Sequence, residues 1–429
     1  MTILLTNAAL LLTEPDCRVV TGDMIIRDGK IAQMGDFPHP EVDKIDKIID
    51  CTDKLVMPGL INCHTHMYMS IFRNYADDLA FGDWLFGKIL PAEDKLSPED
   101  AYWCNLLSCI EMIRSGTTCF LDMHMFVNQC AEAARQTGMR AVLSRGLVGT
   151  EAADAGGQRR LDEALGEAAA YAGCDLLSFM LAPHAIYTCG EGYLRHVAEA
   201  AKQHGLPLHI HLSETQQEFD DAVQAYGLTP TAYLEKIGFF AVPTVAAHGV
   251  YLTDEDIAIL QRRGVSIATN PISNMKLGNG FAPVSRLVEA SVNVCLGTDS
   301  AASNNALNLF REMSTLSYIH KGVDKNAQSL SAVQALNIAT ANGARALGLA
   351  EKTGTLAVGK QADVVILDRN TPAFTPRNNP AAALVYAANG SEVETVIING
   401  QIVMEQRRLT TVDEQEVYRQ VEKIRRAVL

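Results

Sequence analysis

Eight short apolar segments, each followed by a stretch with helical spacing, constrain this chain more than any other feature. They are MPGLINCHTH (57–66), TTCFLDM (117–123), MRAVLSRGL (139–147), LLSFMLAPH (176–184), LPLHIHLSE (206–214), TVAAHG (244–249), VSIATNP (265–271) and VNVCLGTDS (292–300). Near-continuous apolar runs of this length, bounded by Gly, Pro or polar residues, mark strands buried on both faces. The first begins with an apolar run, Val56 to Ile61, that reads as one buried strand. Between the segments lie helical stretches such as PEDAYWCNLLSCIEMIRSG and EGYLRHVAEAAKQHG, the latter stopped by Gly205. Strands alternating with helices imply a parallel sheet. Eight such repeats fit a (β/α)8 barrel, with a doubly wound open sheet as the alternative.

The flanks have a different texture. TILLTNAALLL, GDMIIRDGKIAQMG and KIIDCTDKLVMPG alternate or run apolar and are broken by Gly, Asp or Pro, so they read as short strands. After SLSAVQALNIATANGARALGL, read as one last helix, the same texture returns in GTLAVGKQADVVILD and ETVIINGQIVME, with Asn-Gly marking a hairpin. The two ends share one character and the barrel interrupts them. The expected division is a composite β-sandwich from 1–55 and 355–429, closed by a C-terminal helix in TVDEQEVYRQVEKIRRAVL, around a barrel spanning 56–354.

Bulk properties narrow the class of partner. A net charge of −14 with no basic block disfavours nucleic acid and anionic membranes. No apolar stretch approaches the ~18 residues of a spanning helix. The N-terminus carries no Lys or Arg before Arg18, so no signal peptide is expected. Ten Cys are scattered without a C-x-x-C, as buried reduced thiols in a cytoplasmic protein would be.

In such barrels chemistry sits at the C-terminal ends of the strands. Residues i and i+2 of an extended chain face the same side, so His64 and His66 leave the first strand together. The fourth strand ends in His184, the fifth in His211 with Glu214 beyond it, the sixth in His248 and the eighth in Asp299. Five of the 11 His therefore fall at strand ends. Zinc takes imidazole nitrogens and carboxylate oxygens, and a catalytic site keeps a position for water. His64, His66, His211 and Asp299 make a coherent ligand set. His209 competes with His211 but would sit one layer deeper, as a hydrogen-bonded core residue. His124 is ambiguous, Cys63 reads as packing, and His39, His196, His204 and His320 read as surface. Barrels with two metals can bridge them by a carbamylated Lys on the fourth strand; this chain has no Lys between Lys95 and Lys202, so one ion is expected.

These residues resemble the amidohydrolase superfamily in its mononuclear deaminase branch. Finer motifs, RNYADDLAFGDWLFGKILPAEDKLSPED, SGTTCFLDM, AVLSRGLVG, APHAIYTCG, HIHLSET, NPISNMKLGNG and GTDSAASNN, look like those of 5′-methylthioadenosine/S-adenosylhomocysteine deaminases. The resemblance implies one divalent ion, Zn2+ ahead of Fe2+ or Mn2+, on His64, His66, His211 and Asp299. It implies Glu214, His248 and Asp299 as the proton-handling groups. Trp84, Glu93, Arg145, Arg160, His184, Glu214 and Asp299 would meet a nucleoside-type substrate. Glu93 suits ribose hydroxyls; Arg145 and Arg160 are forks suited to a carboxylate. Two residues depart from the pattern: Leu90 where an aromatic is common, and His124 where Tyr is common. The implied reaction releases ammonia from the adenine ring. Related reactions on guanine, pterin or s-triazine rings, a ring-opening amidohydrolase, and a non-catalytic scaffold relative are the alternatives. The expected partner is a small molecule, without nucleic acid or membrane, and homo-oligomerisation is left open.

Overall fold

A computed structural model describes residues 1–14, 17–38 and 44–429, so His39 lies outside the described residues. The eight segments form one parallel sheet whose strand order equals chain order. Its strands are β1 (Leu60–Thr65), β2 (Thr117–His124), β3 (Arg140–Leu147), β4 (Leu177–Pro183), β5 (Leu208–Leu212), β6 (Thr244–His248), β7 (Ser266–Thr269) and β8 (Val294–Leu296). A doubly wound sheet would reverse its order midway; this one runs round to meet itself. At the seam between β8 and β1, the Asp299 amide donates to the His64 carbonyl at 3.0 Å and the Thr298 amide to Asn62 Oδ1 at 3.0 Å. The chain is thus a (β/α)8 barrel carrying a separate sheet.

Side chains alternate across the barrel wall as strand geometry requires. Phe120 and Leu143 pack outward with helix residues such as Ala134, Leu194 and Leu260. Leu121 and Val142 join Ile61, Cys63 and Cys295 in an inner cluster. Ala344, Leu347 and Leu349 complete that cluster and plug the end of the barrel where β1 begins. The opposite end, where the strands finish, is left for a ligand. Cys63 is packing, as expected.

The small β-sandwich expected from the two ends takes the form of one mixed nine-stranded sheet. The N- and C-terminal parts join where Val364–Asp368 pairs antiparallel with Lys54–Pro58. Asn399 and Gly400 make the hairpin turn, both with positive φ, 49° and 73°. Glu414–Val428 is the final helix. No helix among the described residues is long and apolar enough to cross a membrane.

Two local expectations are corrected. The Val56–Ile61 run is not one strand: Lys54–Pro58 belongs to the mixed sheet and Leu60–Thr65 to the barrel. The chain changes sheets at Gly59, where a Cβ would lie 2.0 Å from Thr118 Oγ1. Both halves are buried, so hydropathy does not separate them. The last helix is two, Ala332–Ile338 and Ala341–Ala346. Thr340 breaks it with φ −129° and ψ −91°, its hydroxyl donating back to the Leu336 carbonyl at 2.7 Å.

Candidate active site

His64 is the last residue but one of β1, His66 lies just past the strand, and His211 and Asp299 arrive from β5 and the loop after β8. Their polar atoms converge. His211 Nε2 is 3.3 Å from His66 Nε2, and Asp299 Oδ1 is 3.5 Å from both His64 Nε2 and His66 Nε2. Ligands about 2.0–2.2 Å from a tetrahedral zinc stand about 3.3–3.6 Å apart. These three separations match edges of such a tetrahedron, and two overlapping trios could hold an ion, His64 and His66 with Asp299, and His64 and His211 with His248.

The protonation of the rings follows from what each Nδ1 touches. His66 Nδ1 donates to the Met123 carbonyl and His211 Nδ1 to the His184 carbonyl, each at 2.8 Å. His209 Nδ1 donates to the Val245 carbonyl at 2.9 Å, which leaves its Nε2 a bare acceptor. That atom lies 2.9 Å from His64 Nδ1, so His64 must be the donor. Burial pushes His64 and His211 well below the usual imidazole range and His209 down to about 3, so these rings are neutral. Three bare Nε2 atoms and a carboxylate oxygen are therefore turned toward one point. His64 Nε2 is buried without a hydrogen-bond partner among the described residues. This donor set fits one divalent cation, with carbonyls and His209 orienting the rings from behind.

Asp299 is held for that task. Its Oδ2 accepts from Ser273 Oγ at 2.6 Å and Ser303 Oγ at 2.8 Å, leaving Oδ1 toward the histidines. Asp299 and His248 both have left-handed backbone, φ 60° and 75°, a strain that the strand ends impose where side chains are aimed inward.

Glu214 and His248 face each other beside this cluster, with 3.8 Å between Glu214 Oε2 and His248 Nε2. Asn279 donates to Glu214 Oε1 at 3.2 Å, and Asn274 Oδ1 lies 2.8 Å from His248 Nδ1. Burial, with the Asp299 charge, pushes the Glu214 carboxyl up against the opposing pull of His248. Burial would lower His248, but the Glu214 and Asp299 carboxylates raise it. Glu218 fixes the Glu214 loop by accepting from the Ser213 and Glu214 amides.

Above these groups opens a cavity of about 390 Å³, the size of small-molecule sites. Trp84, Glu93, Arg145, Arg160 and His184 all line it, with His66, His211, Glu214, His248 and Asp299 at its base. His64 is brought into the cluster from beneath. Trp84 is nearly buried in an apolar cluster and also borders the cavity. Glu93 is 7% exposed, and its Oε2 has no partner among the described residues. The two arginines differ. Arg145 is held by an ion pair to Glu163 and a 2.8 Å bond to the Met125 carbonyl, with its buried Nε unpartnered, whereas Arg160 donates to the Val148 carbonyl at 3.2 Å and makes no other hydrogen bond or ion pair among the described residues. His184 bonds Thr188 Oγ1 at 3.0 Å and burial lowers it to about 4.

Outside the expected set, His124 is 2% exposed and lines the cavity, and Leu90 is exposed at its mouth. His204 is exposed and His196 half-buried on Gln158, but His320 is not a surface residue: it is 3% exposed, within 3.2 Å of Ser285 Oγ. Its helix turns that face to the core. Sequence reasoning passed over Ser273, Ser303, Asn274, Asn279, Glu218 and Tyr68, which have no spacing signal. His209 did carry one, its two-residue offset from His211.

Known proteins resemble the chain along most of its length. The model of the amidohydrolase family matches residues 55–403. A 5-methylthioadenosine/S-adenosylhomocysteine deaminase of Caldanaerobacter subterraneus subsp. tengcongensis is 45% identical over 425 residues, covering 99% of this chain and 98% of that protein. A 5′-deoxyadenosine deaminase of Methanosarcina mazei is 43% identical, covering 98% and 97%. The crystal structure of an adenosine deaminase from Xanthomonas campestris with bound zinc superposes with a TM-score of 0.94 at 33% identity, covering 99% of this chain and 98% of that one.

Proposed function

The chain belongs to the amidohydrolase family, and from that premise we propose that it hydrolyses the 6-amino group of adenine nucleosides, S-adenosylhomocysteine, 5′-methylthioadenosine or adenosine, to give ammonia and the inosine derivative. The observation that carries this is the placement of Glu214 and His248 beside the convergent ring nitrogens, at the floor of a nucleoside-sized cavity.

His64, His66, His211 and Asp299 hold one divalent ion, zinc, in this reading. Bound there, it supplies Lewis acidity that lowers the pKa of water from about 15.7 towards about 7. His248 and Asp299 accept the proton that the attacking water sheds as its oxygen bonds to C6. Glu214 delivers a proton to N1, so that charge does not build on the ring. The amine takes the proton held by His248 and Asp299 and leaves as ammonia, while the C6 hydroxyl becomes a carbonyl and returns its proton to Glu214. Glu93 receives ribose hydroxyls, and Trp84 and His184 border the bound nucleoside. The free donors of Arg160 receive a carboxylate tail, and Arg145 lines the same cavity. We also propose the division into a composite sheet domain, 1–55 with 355–429, around a catalytic barrel, 56–354, and a reducing cytoplasmic setting in keeping with ten cysteines free of disulfides.

The reading is tested by ammonia and chloride release from S-adenosylhomocysteine, methylthioadenosine, adenosine, guanine and a chlorotriazine with zinc-loaded protein. The highest kcat/KM is expected on the adenine nucleosides; turnover of another ring alone overturns it. Arg160→Ala is expected to lower kcat/KM on S-adenosylhomocysteine at least about tenfold more than on methylthioadenosine, which has no carboxylate. Equal losses would remove Arg160 from the tail site. His209→Phe deletes the acceptor behind His64 and is expected to weaken metal binding about 10–100-fold in a chelator competition. Unchanged affinity would make His209 ordinary core.

A further inference from the structure

His124 ends β2 with its ring in the wall of the cavity, 2% exposed. Its Nδ1 accepts the backbone N–H of Phe126, so in a neutral ring the hydrogen sits on Nε2. Burial, with His66 and Arg145 nearby, keeps the ring neutral. Nε2 is then a buried donor, and it has no hydrogen-bond partner among the described residues. A buried donor left unpaired is costly, so a partner from the ligand is its natural complement.

Tyr68 links this donor to an acceptor of the same kind. Its ring meets His124 edge-on, with centroids 4.2 Å apart, and it lies beside Glu93 in the lining of the cavity. Glu93 Oε2 is likewise buried and unpartnered, in the same wall. An unpaired acceptor and an unpaired donor on either side of one tyrosine match a group that both gives and takes a hydrogen bond. A carboxylate cannot donate, and a thioether accepts only weakly. An alcohol does both.

We propose that His124 is a specificity-determining residue: a ribose hydroxyl donates to Glu93 Oε2 and accepts from His124 Nε2–H. This rests on the nucleoside reading given above. It adds to Glu93, which alone would recognise a hydroxyl only as a donor, a requirement on its oxygen lone pair.

The test compares adenosine with 2′-deoxyadenosine and 3′-deoxyadenosine on wild type, His124→Phe and His124→Gln, each checked for metal content and thermal unfolding. His124→Phe keeps the ring's bulk and removes the donor; His124→Gln keeps an N–H at a similar reach. The expected result is a roughly tenfold fall in kcat/KM on adenosine for His124→Phe, with little change on the deoxy analogue that lacks the contacted hydroxyl. Wild-type preference for ribose over that analogue then shrinks by the same factor. His124→Gln restores a large part of it. A uniform fall on all three nucleosides, with no recovery in His124→Gln, overturns the hydroxyl assignment and leaves His124 as packing. Wild type that releases ammonia from none of the three overturns the deaminase reading itself, and this assignment with it.

Discussion

Glu214→Gln is expected to lower kcat about 10²–10⁴-fold while the protein keeps its metal. The amide has the same shape and can still bond Asn279, so the loop pinned by Glu218 has no reason to move. What it loses is the proton. Glu214 is 6% exposed, its carboxyl is pushed up by burial, and it stands 3.8 Å from His248, so it is built to hold and release a proton rather than to carry a fixed charge. The substituted amide could touch a ring nitrogen but not protonate it. Metal analysis and steady-state ammonia release on the same preparation decide the matter. Near-normal turnover with metal retained would refute the role; loss of metal together with turnover would make Glu214 a structural support of the cluster instead.

The second large effect concerns stability. Asp363→Ala is expected to destabilise the protein by about 3–5 kcal/mol, read as a lowered urea midpoint. Asp363 meets Arg140 through two bonds, at 2.7 and 3.1 Å, and both side chains are almost fully buried. It also accepts from the Asn399 amide at 2.8 Å. Arg140 opens β3 of the barrel, whereas Asp363 and Asn399 flank strands of the mixed sheet. The pair therefore joins the two sheets, and removing the acid leaves a guanidinium without its counter-ion. The paired replacement Arg140→Met with Asp363→Leu is expected to cost far less, because burying no charge avoids the desolvation penalty. A shift below about 1 kcal/mol for Asp363→Ala would mean that water reaches Arg140 and screens it.

The eight barrel strands were legible because each is a local run whose burial on both faces shows as continuous apolar sequence. The candidate metal cluster was legible for a related reason. His64 and His66 share a strand face by the two-residue period, and His211, His248 and Asp299 stand where strands end. The misreadings arose where two environments have the same hydropathy. Val56–Ile61 is apolar throughout, yet one half serves the mixed sheet and the other the barrel. His320 looks like any helical histidine until the helix face it occupies is known.

Taken alone, then, the amino-acid order determined the barrel, the sheet built from both ends, and the side chains offered at the strand ends, since all of these follow from short-range periodicity. Only the tertiary structure decided which atoms of those side chains are free. Whether His64 presents a bare Nε2 depends on His209 and, through it, on the Val245 carbonyl. Whether an arginine can take a carboxylate depends on Glu163 having claimed Arg145 and not Arg160. Whether His124 is core or contact depends on the Phe126 amide and the Tyr68 ring. Hydrogen bonds act over about 3 Å in space with no regard to distance along the chain, so no periodicity in the sequence encodes them.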